Sequence, residues 1–255
     1  MKQNVKRLPY GINDFEAVIE QNQYYVDKTM YLPLLENQPS NIIFIRPRRF
    51  GKSIFLSMLH AYYDCSKKEK FQTLFGDLWV GKHPTPLQGK YQVLHLDFSY
   101  VGGSIDKLEE NFDMYLRVKL DGFMRIYQNS YLEDFKEKFF KSDSATEKLA
   151  LLQDETATKS IPLYLIIDEY DNFTNTVLNE QGEKVYWAIT HADGFYRDVF
   201  KKFKGMFERI FITGVSPVTL DDVTSGFNIG WHISSKQEYN QKLGCSVEEE
   251  RKIFA

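Results

Sequence analysis

Arg46, Arg48, Arg49 and Lys52 place four cations within seven residues, and the string that holds them, R-P-R-R-F-G-K-S at positions 46–53, also carries a glycine and a hydroxyl. A solvated basic loop or a nucleic-acid patch is the plain reading of such a cluster, but the spacing argues for phosphate. The string matches G-x-x-x-x-G-K-[ST] everywhere except the first position, where Arg46 stands in place of glycine. Gly51 lets the backbone approach a phosphate, Lys52 neutralises β- and γ-phosphates, and the Ser53 hydroxyl ligates Mg²⁺. Pro47 disfavours the α region for the residue before it, so Arg46 is expected to end a strand with its side chain aimed away from the loop, towards a carboxylate on a neighbouring element. Because Pro47 has no N–H, the anion-binding amides begin at Arg48. The expected nucleotide-binding residues are therefore Arg48, Arg49, Phe50, Gly51, Lys52, Ser53 and Ile54. For the Arg48 and Arg49 side chains, solvent exposure or a surface ion pair is the alternative to nucleotide contact.

A second set of groups lies in L-Y-L-I-I-D-E-Y-D, positions 163–171. Asp168 closes an apolar run with Glu169 directly after it, the pattern of a Walker B motif, and ligands of open parallel sheets sit at the carboxyl ends of strands. Asp168 with Ser53 forms the expected metal pair, and Glu169 the group that polarises water. The competing reading of an acidic pair at a strand end is a helix cap or a surface pair, and Asp171 is read as a helix N-cap. Thr213 and Ser216, in T-G-V-S-P, are expected to offer a hydroxyl to the γ-phosphate or the water, with backbone capping as the alternative. The expected catalytic set is thus Glu169, Lys52, Thr213 and Ser216. His60, His83, His95, His191 and His232 lack metal spacing, and His95 with Asp97 on one strand face reads as a structural pair. Cys65 and Cys245 stand far apart, outside any C-x-x-C or zinc spacing.

These groups need a scaffold that brings positions 46–53, 168 and 213 to one edge. Asn41–Ile45, Val93–Phe98, Leu163–Ile167 and Ile210–Thr213 are short apolar runs that read as buried strands, with a fifth at Phe227–Ile233. Helical spacing runs over Gly51–Tyr63, Ile105–Tyr127 and Glu183–Phe207, while Lys141–Ser160 reads as a surface excursion with one short helix. Strands alternating with helices imply an α/β fold, a three-layer sandwich of the P-loop NTPase type around a mostly parallel sheet. The expected organisation is an N-terminal segment (1–40) packed on the core, an ATPase core (41–235) and the start of a truncated C-terminal helical segment (236–255), whose opening capping box is Ser246 with Glu249.

With 255 residues, 43% of them hydrophobic, the chain can bury a large core, and a formal charge of −3 argues against bulk nucleic-acid coating. No segment has the length of a membrane span or the form of a signal peptide, so a cytoplasmic protein is expected. The motifs R-P-R-R-F-G-K-S, L-I-I-D-E-Y-D and T-G-V-S-P, with Y-Y-V-D-K-T at Tyr24–Thr29, give the chain a resemblance over nearly its whole length to the bacterial AAA-ATPase-like family. The resemblance implies ATP and Mg²⁺ as cofactors, and within that family arginine for the first glycine looks habitual. Its members usually continue into a helical segment and a PD-(D/E)XK nuclease-like domain, absent here, so nucleic acid enters as a partner only through that domain; an oligomer is compatible with it. It also implies that Tyr25–Thr29 lies near the adenine or the sheet edge, whereas the residues alone read as a cap docking the N-terminus. Trp231 and His232 stand where smaller polar residues are expected. Three functions remain open: an ATP-hydrolysing switch, a nucleotide- or nucleic-acid-binding scaffold without turnover, and a P-loop kinase.

Overall fold

The computed structural model describes residues 6–191, 194–216 and 230–234. Its strands are β1 (Asn41–Ile45), β2 (Gln92–Asp97), β3 (Leu163–Asp168), β4 (Arg209–Gly214) and β5 (Trp231–His232). Its α-helices are α1 (Phe15–Glu20), α2 (Leu32–Glu36), α3 (Lys52–Tyr63), α4 (Phe71–Phe75), α5 (Trp79–Lys82), α6 (Leu108–Ile126), α7 (Glu133–Lys141), α8 (Ala145–Lys159), α9 (Asn172–Gln181), α10 (Glu183–Thr190) and α11 (Phe195–Met206). The sheet runs β2-β3-β4-β1-β5 and every pair is parallel, so β4 lies between the strand that feeds the basic loop and the strand that ends in Asp168.

Side chains alternate between the two faces of a strand, and here both faces are apolar. Ile43, Leu165, Ile167, Ile210 and Ile212 point into one core with α6, α8, α9 and α11. Ile42, Phe44, Tyr164, Ile166 and Phe211 point into the other, with α1 to α5. That is a three-layer α/β sandwich, and it explains why the strands read as continuous apolar runs rather than as alternating ones. Register then aligns the carboxyl ends: Ile45 is opposite Gly214, and Asp168 is opposite Asp97.

Two helical expectations change. The polar stretch after Lys141 forms the fifteen-residue α8, whose Ala145, Leu149 and Leu152 are buried in the first core; its apolar stripe is narrow, so composition hid it. The stretch Glu183–Phe207 is two helices, α10 and α11, and Gly194 at the start of α11 lies so close to Ile189 O that a Cβ there would clash with it. Of the proposed fifth strand, residues 231–232 pair with β1, while 227–229 lie outside the described residues, as do Pro217, Cys245, Ser246 and Glu249.

The Y-Y-V-D-K-T segment fastens the N-terminal region to α5. Asp27 accepts from Thr29 N (2.8 Å), from the Thr29 hydroxyl (2.6 Å) and from Trp79 N (2.7 Å), and Thr29 Oγ1 accepts from Val80 N at 3.1 Å. The carboxylate thus supplies the missing partner of a helix N-terminus. Asp27→Ala should lower stability by about 1.5–3 kcal/mol, the cost of losing bonds to a charged acceptor, and leave ATP affinity unchanged. Denaturant melts with calorimetry check both halves, and a loss of affinity in the folded variant would move this segment to the nucleotide.

Candidate functional site

The loop between β1 and α3 is shaped by three backbone facts. Arg49 and Gly51 have positive φ (66° and 81°), and Pro47 fixes the entry. A Cβ on Gly51 would meet only Ile54 Cγ2, at 3.8 Å, so glycine is required there by the dihedral rather than by crowding. Among the described residues, the seven successive backbone N–H groups from Arg48 to Ile54 donate to no other group. Such a run of unpaired donors at a helix start can receive an anion, and the positive end of α3 favours negative charge there.

The Lys52 ammonium is buried and donates to the carbonyl oxygens of Arg46 (3.1 Å) and Pro47 (3.2 Å), with Glu169 Oε1 3.7 Å away. The Ser53 hydroxyl donates to Asp168 Oδ2 at 2.6 Å, and the wholly buried Thr213 hydroxyl donates to Asp168 Oδ1 at 2.5 Å. Asp168 therefore joins α3, β3 and β4 at one point. Glu169 follows in the left-handed region (φ 52°), its N–H bonded to Asp168 Oδ1 at 3.0 Å. Burial pushes its carboxyl above the usual carboxylate range, and Asp168 and Asp171 add to this, while Lys52 and Arg48 oppose it.

The structure thus brings Lys52, Ser53, Asp168, Glu169 and Thr213 together. Arg48 and Arg49 project into solvent beside them, and the Phe50 ring lies 5.6 Å from the Arg46 guanidinium. Arg46 is buried: it donates to the carbonyl oxygens of Ile45 (3.0 Å) and Ser234 (2.8 Å) and sits 4.7 Å from the Phe44 ring centre. It binds the loop to the edge beside β5 through these carbonyls. Asp171 stands at the N-cap of α9, but its carboxylate makes no cap bond and reaches the loop after β4 instead, where Ser216 donates its N–H. Local sequence carries no signal for that pairing, since its partners lie more than forty positions away.

Next to Ser53 and Asp168 opens a polar cleft of about 370 Å³ lined by His60, His95, Asp97 and Lys119. His95 meets His60 edge to face at 5.5 Å, while Asp97 accepts from Ser99 N at 2.9 Å, so the two are not bonded as a pair. Burial, with help from the charges of His60, Lys119 and Lys67, pushes the His95 imidazole down to about 3, and it stays neutral. No cluster of three or more His, Cys, Asp or Glu with metal-site geometry occurs among the described residues, and none of their helices is long and apolar enough to cross a membrane. The expected Mg²⁺ set is of a different kind, one carboxylate and one hydroxyl completed by phosphate and water.

A family model described as "Predicted AAA-ATPase" matches residues 9–224. The chain belongs to the AAA-ATPase-like family. The matched region contains the basic loop, the acidic strand end and the end of β4, and membership carries ATP binding as the family's expected property. A protein of Azotobacter chroococcum mcd 1, described as an uncharacterised protein in the vnfD 5′ region, is 47% identical over 55 residues, 21% of this chain and 11% of that relative's length. No solved structure matches.

The position of Arg46 separates folding from nucleotide contact. Arg46→Ala should lower stability by about 2 kcal/mol, for lost charged hydrogen bonds and ring contacts, and leave kcat per folded molecule within about twofold. Thermal melts and steady-state kinetics check this, and a turnover defect with unchanged melting would place Arg46 at the nucleotide.

Proposed function

We propose that this chain binds Mg-ATP and hydrolyses it as a switch or motor module of a larger protein. One observation carries the reading: seven unpartnered amides and the Lys52 ammonium meet the Ser53–Asp168 pair, with Glu169 adjacent, at the carboxyl edge of a parallel sheet.

The amides from Arg48 to Ile54 receive the β-phosphate, and Lys52 exchanges the carbonyls of Arg46 and Pro47 for phosphate oxygens. Ser53 and Asp168 are oxygen donors suited to Mg²⁺, and their 2.6 Å contact brings both to one position, so the residues fit the ion. When bound, the ion neutralises charge on the β- and γ-phosphates. Thr213 fixes the second Asp168 oxygen and so directs the first towards Ser53. Glu169 takes the proton of the attacking water. Its raised pKa makes it a better base than an ordinary carboxylate, and the charges of Lys52 and Arg48 favour its ionised form. Positioning and charge stabilisation supply most of the acceleration in phosphoryl transfer, and these residues provide both.

Removal of the ammonium in Lys52→Ala takes away charge-assisted contacts of roughly 1.5–3 kcal/mol each, so Mg-ATP affinity should fall about 100-fold or more. Calorimetry of the folded variant tests this, and unchanged affinity would refute the phosphate loop. Glu169→Gln separates turnover from binding: it should keep Mg-ATP and lose at least about 100-fold in hydrolysis. A scaffold without turnover would show no phosphate release in wild type and no difference in the variant.

A further inference from the structure

The loop after β4 is fastened to the acidic end of β3 by more than the sheet ladder. Asp171 accepts from Ser216 N at 2.6 Å and from Val215 N at 3.2 Å on each oxygen, while Asn175 Nδ2 holds Oδ2 at 2.9 Å. Tyr170 N donates to Thr213 O at 3.1 Å, the Tyr170 hydroxyl to Ser216 O, and the Tyr196 hydroxyl to Tyr170 O. Asp171 is 1% exposed, and no lysine or arginine pairs with it among the described residues. A carboxylate buried on amide donors alone is expensive, and a fold that needed only packing would be better served by an apolar side chain.

Gly214 shows how close this contact is. A Cβ there would stand 2.6 Å from Asp171 Oδ1 and closer still to the Tyr170 ring, so the strand end accepts the carboxylate only because it lacks a side chain. Neighbouring backbone bonds bracket Glu169. Its carbonyl accepts from Asn172 N at 3.0 Å and the next residue is tied to Thr213, so its left-handed backbone is held from both sides. A strained residue persists where its surroundings over-determine it.

We propose that Asp171 is a positioning residue for ATP hydrolysis: it locks the Val215–Ser216 segment after β4 onto the turn that directly follows Glu169. The role rests on the ATPase reading given above. Asp171 touches neither the water nor the phosphate, so its loss should lower kcat and spare nucleotide binding.

The test uses the full chain with Asp171→Ala and Asp171→Asn. Asparagine with its oxygen in the Oδ2 place keeps the acceptor shared by Ser216 N, Val215 N and Asn175 Nδ2, so it is the conservative variant. Asp171→Ala should lower kcat about tenfold or more per folded molecule with KM for ATP within about twofold, a transition-state effect rather than a binding one. Asp171→Asn should recover most of that loss. Hydrogen exchange at the Val215 and Ser216 amides should quicken in Asp171→Ala and stay near wild type in Asp171→Asn. Turnover unchanged in Asp171→Ala, or amide exchange unchanged, overturns the role while leaving the ATPase reading intact. Absence of turnover in wild type removes both. Should Asp171→Ala fail to fold, Asp171→Ser decides: faster exchange at the Val215 and Ser216 amides with a lower kcat supports the role, and wild-type values of both overturn it.

Discussion

The carboxylate of Asp168 is the junction on which this site depends. It is 3% exposed and accepts from Ser53 on the loop helix, from Thr213 on the neighbouring strand and from the amide of Glu169. Taking such a charge out of water is costly unless hydrogen bonds replace the lost hydration, and three donors do so here. Each comes from a different part of the chain, so the interaction records the sheet order directly. β4 must lie between β1 and β3 for its hydroxyl to arrive from one side and that of α3 from the other.

The empty loop is already partly balanced around this junction. Lys52 rests on two carbonyl oxygens and near Glu169, so neither its charge nor that of the glutamate is left alone in a half-buried site. Among the described residues, the amides from Arg48 to Ile54 have no such partner.

Much of this was legible in the residues themselves. β1 and α3 follow the apolar run at 41–45 and the helical spacing after Gly51, because a strand buried on both faces and a one-sided helix leave strong local patterns. The meeting of Ser53 with Asp168 was legible as chemistry, since both residue types suit a metal and both positions end at the same sheet edge. What stayed hidden depends on distant partners. The buried apolar residues of α8 are few among polar neighbours, the close approach at Gly194 is to the backbone of Ile189, and Asp171 looks like an ordinary helix cap until the loop after β4 is folded onto it. Arg46 was placed at the strand end, and the partners it meets there include Ser234 O and two rings, which belong to the tertiary fold.

The second core also fixes how small an autonomous unit of this chain can be. Phe15, Leu32 and Leu35, all upstream of β1, are buried with Phe55, Leu59 and Tyr62 of the loop helix, and Phe15 stacks on Phe75 with ring centres 5.0 Å apart. A fragment cut at the start of β1 would keep every residue of the phosphate loop and yet leave the back of its helix greasy and bare. Motif boundaries and folding boundaries therefore do not coincide here, and the shortest soluble excision must begin ahead of Phe15.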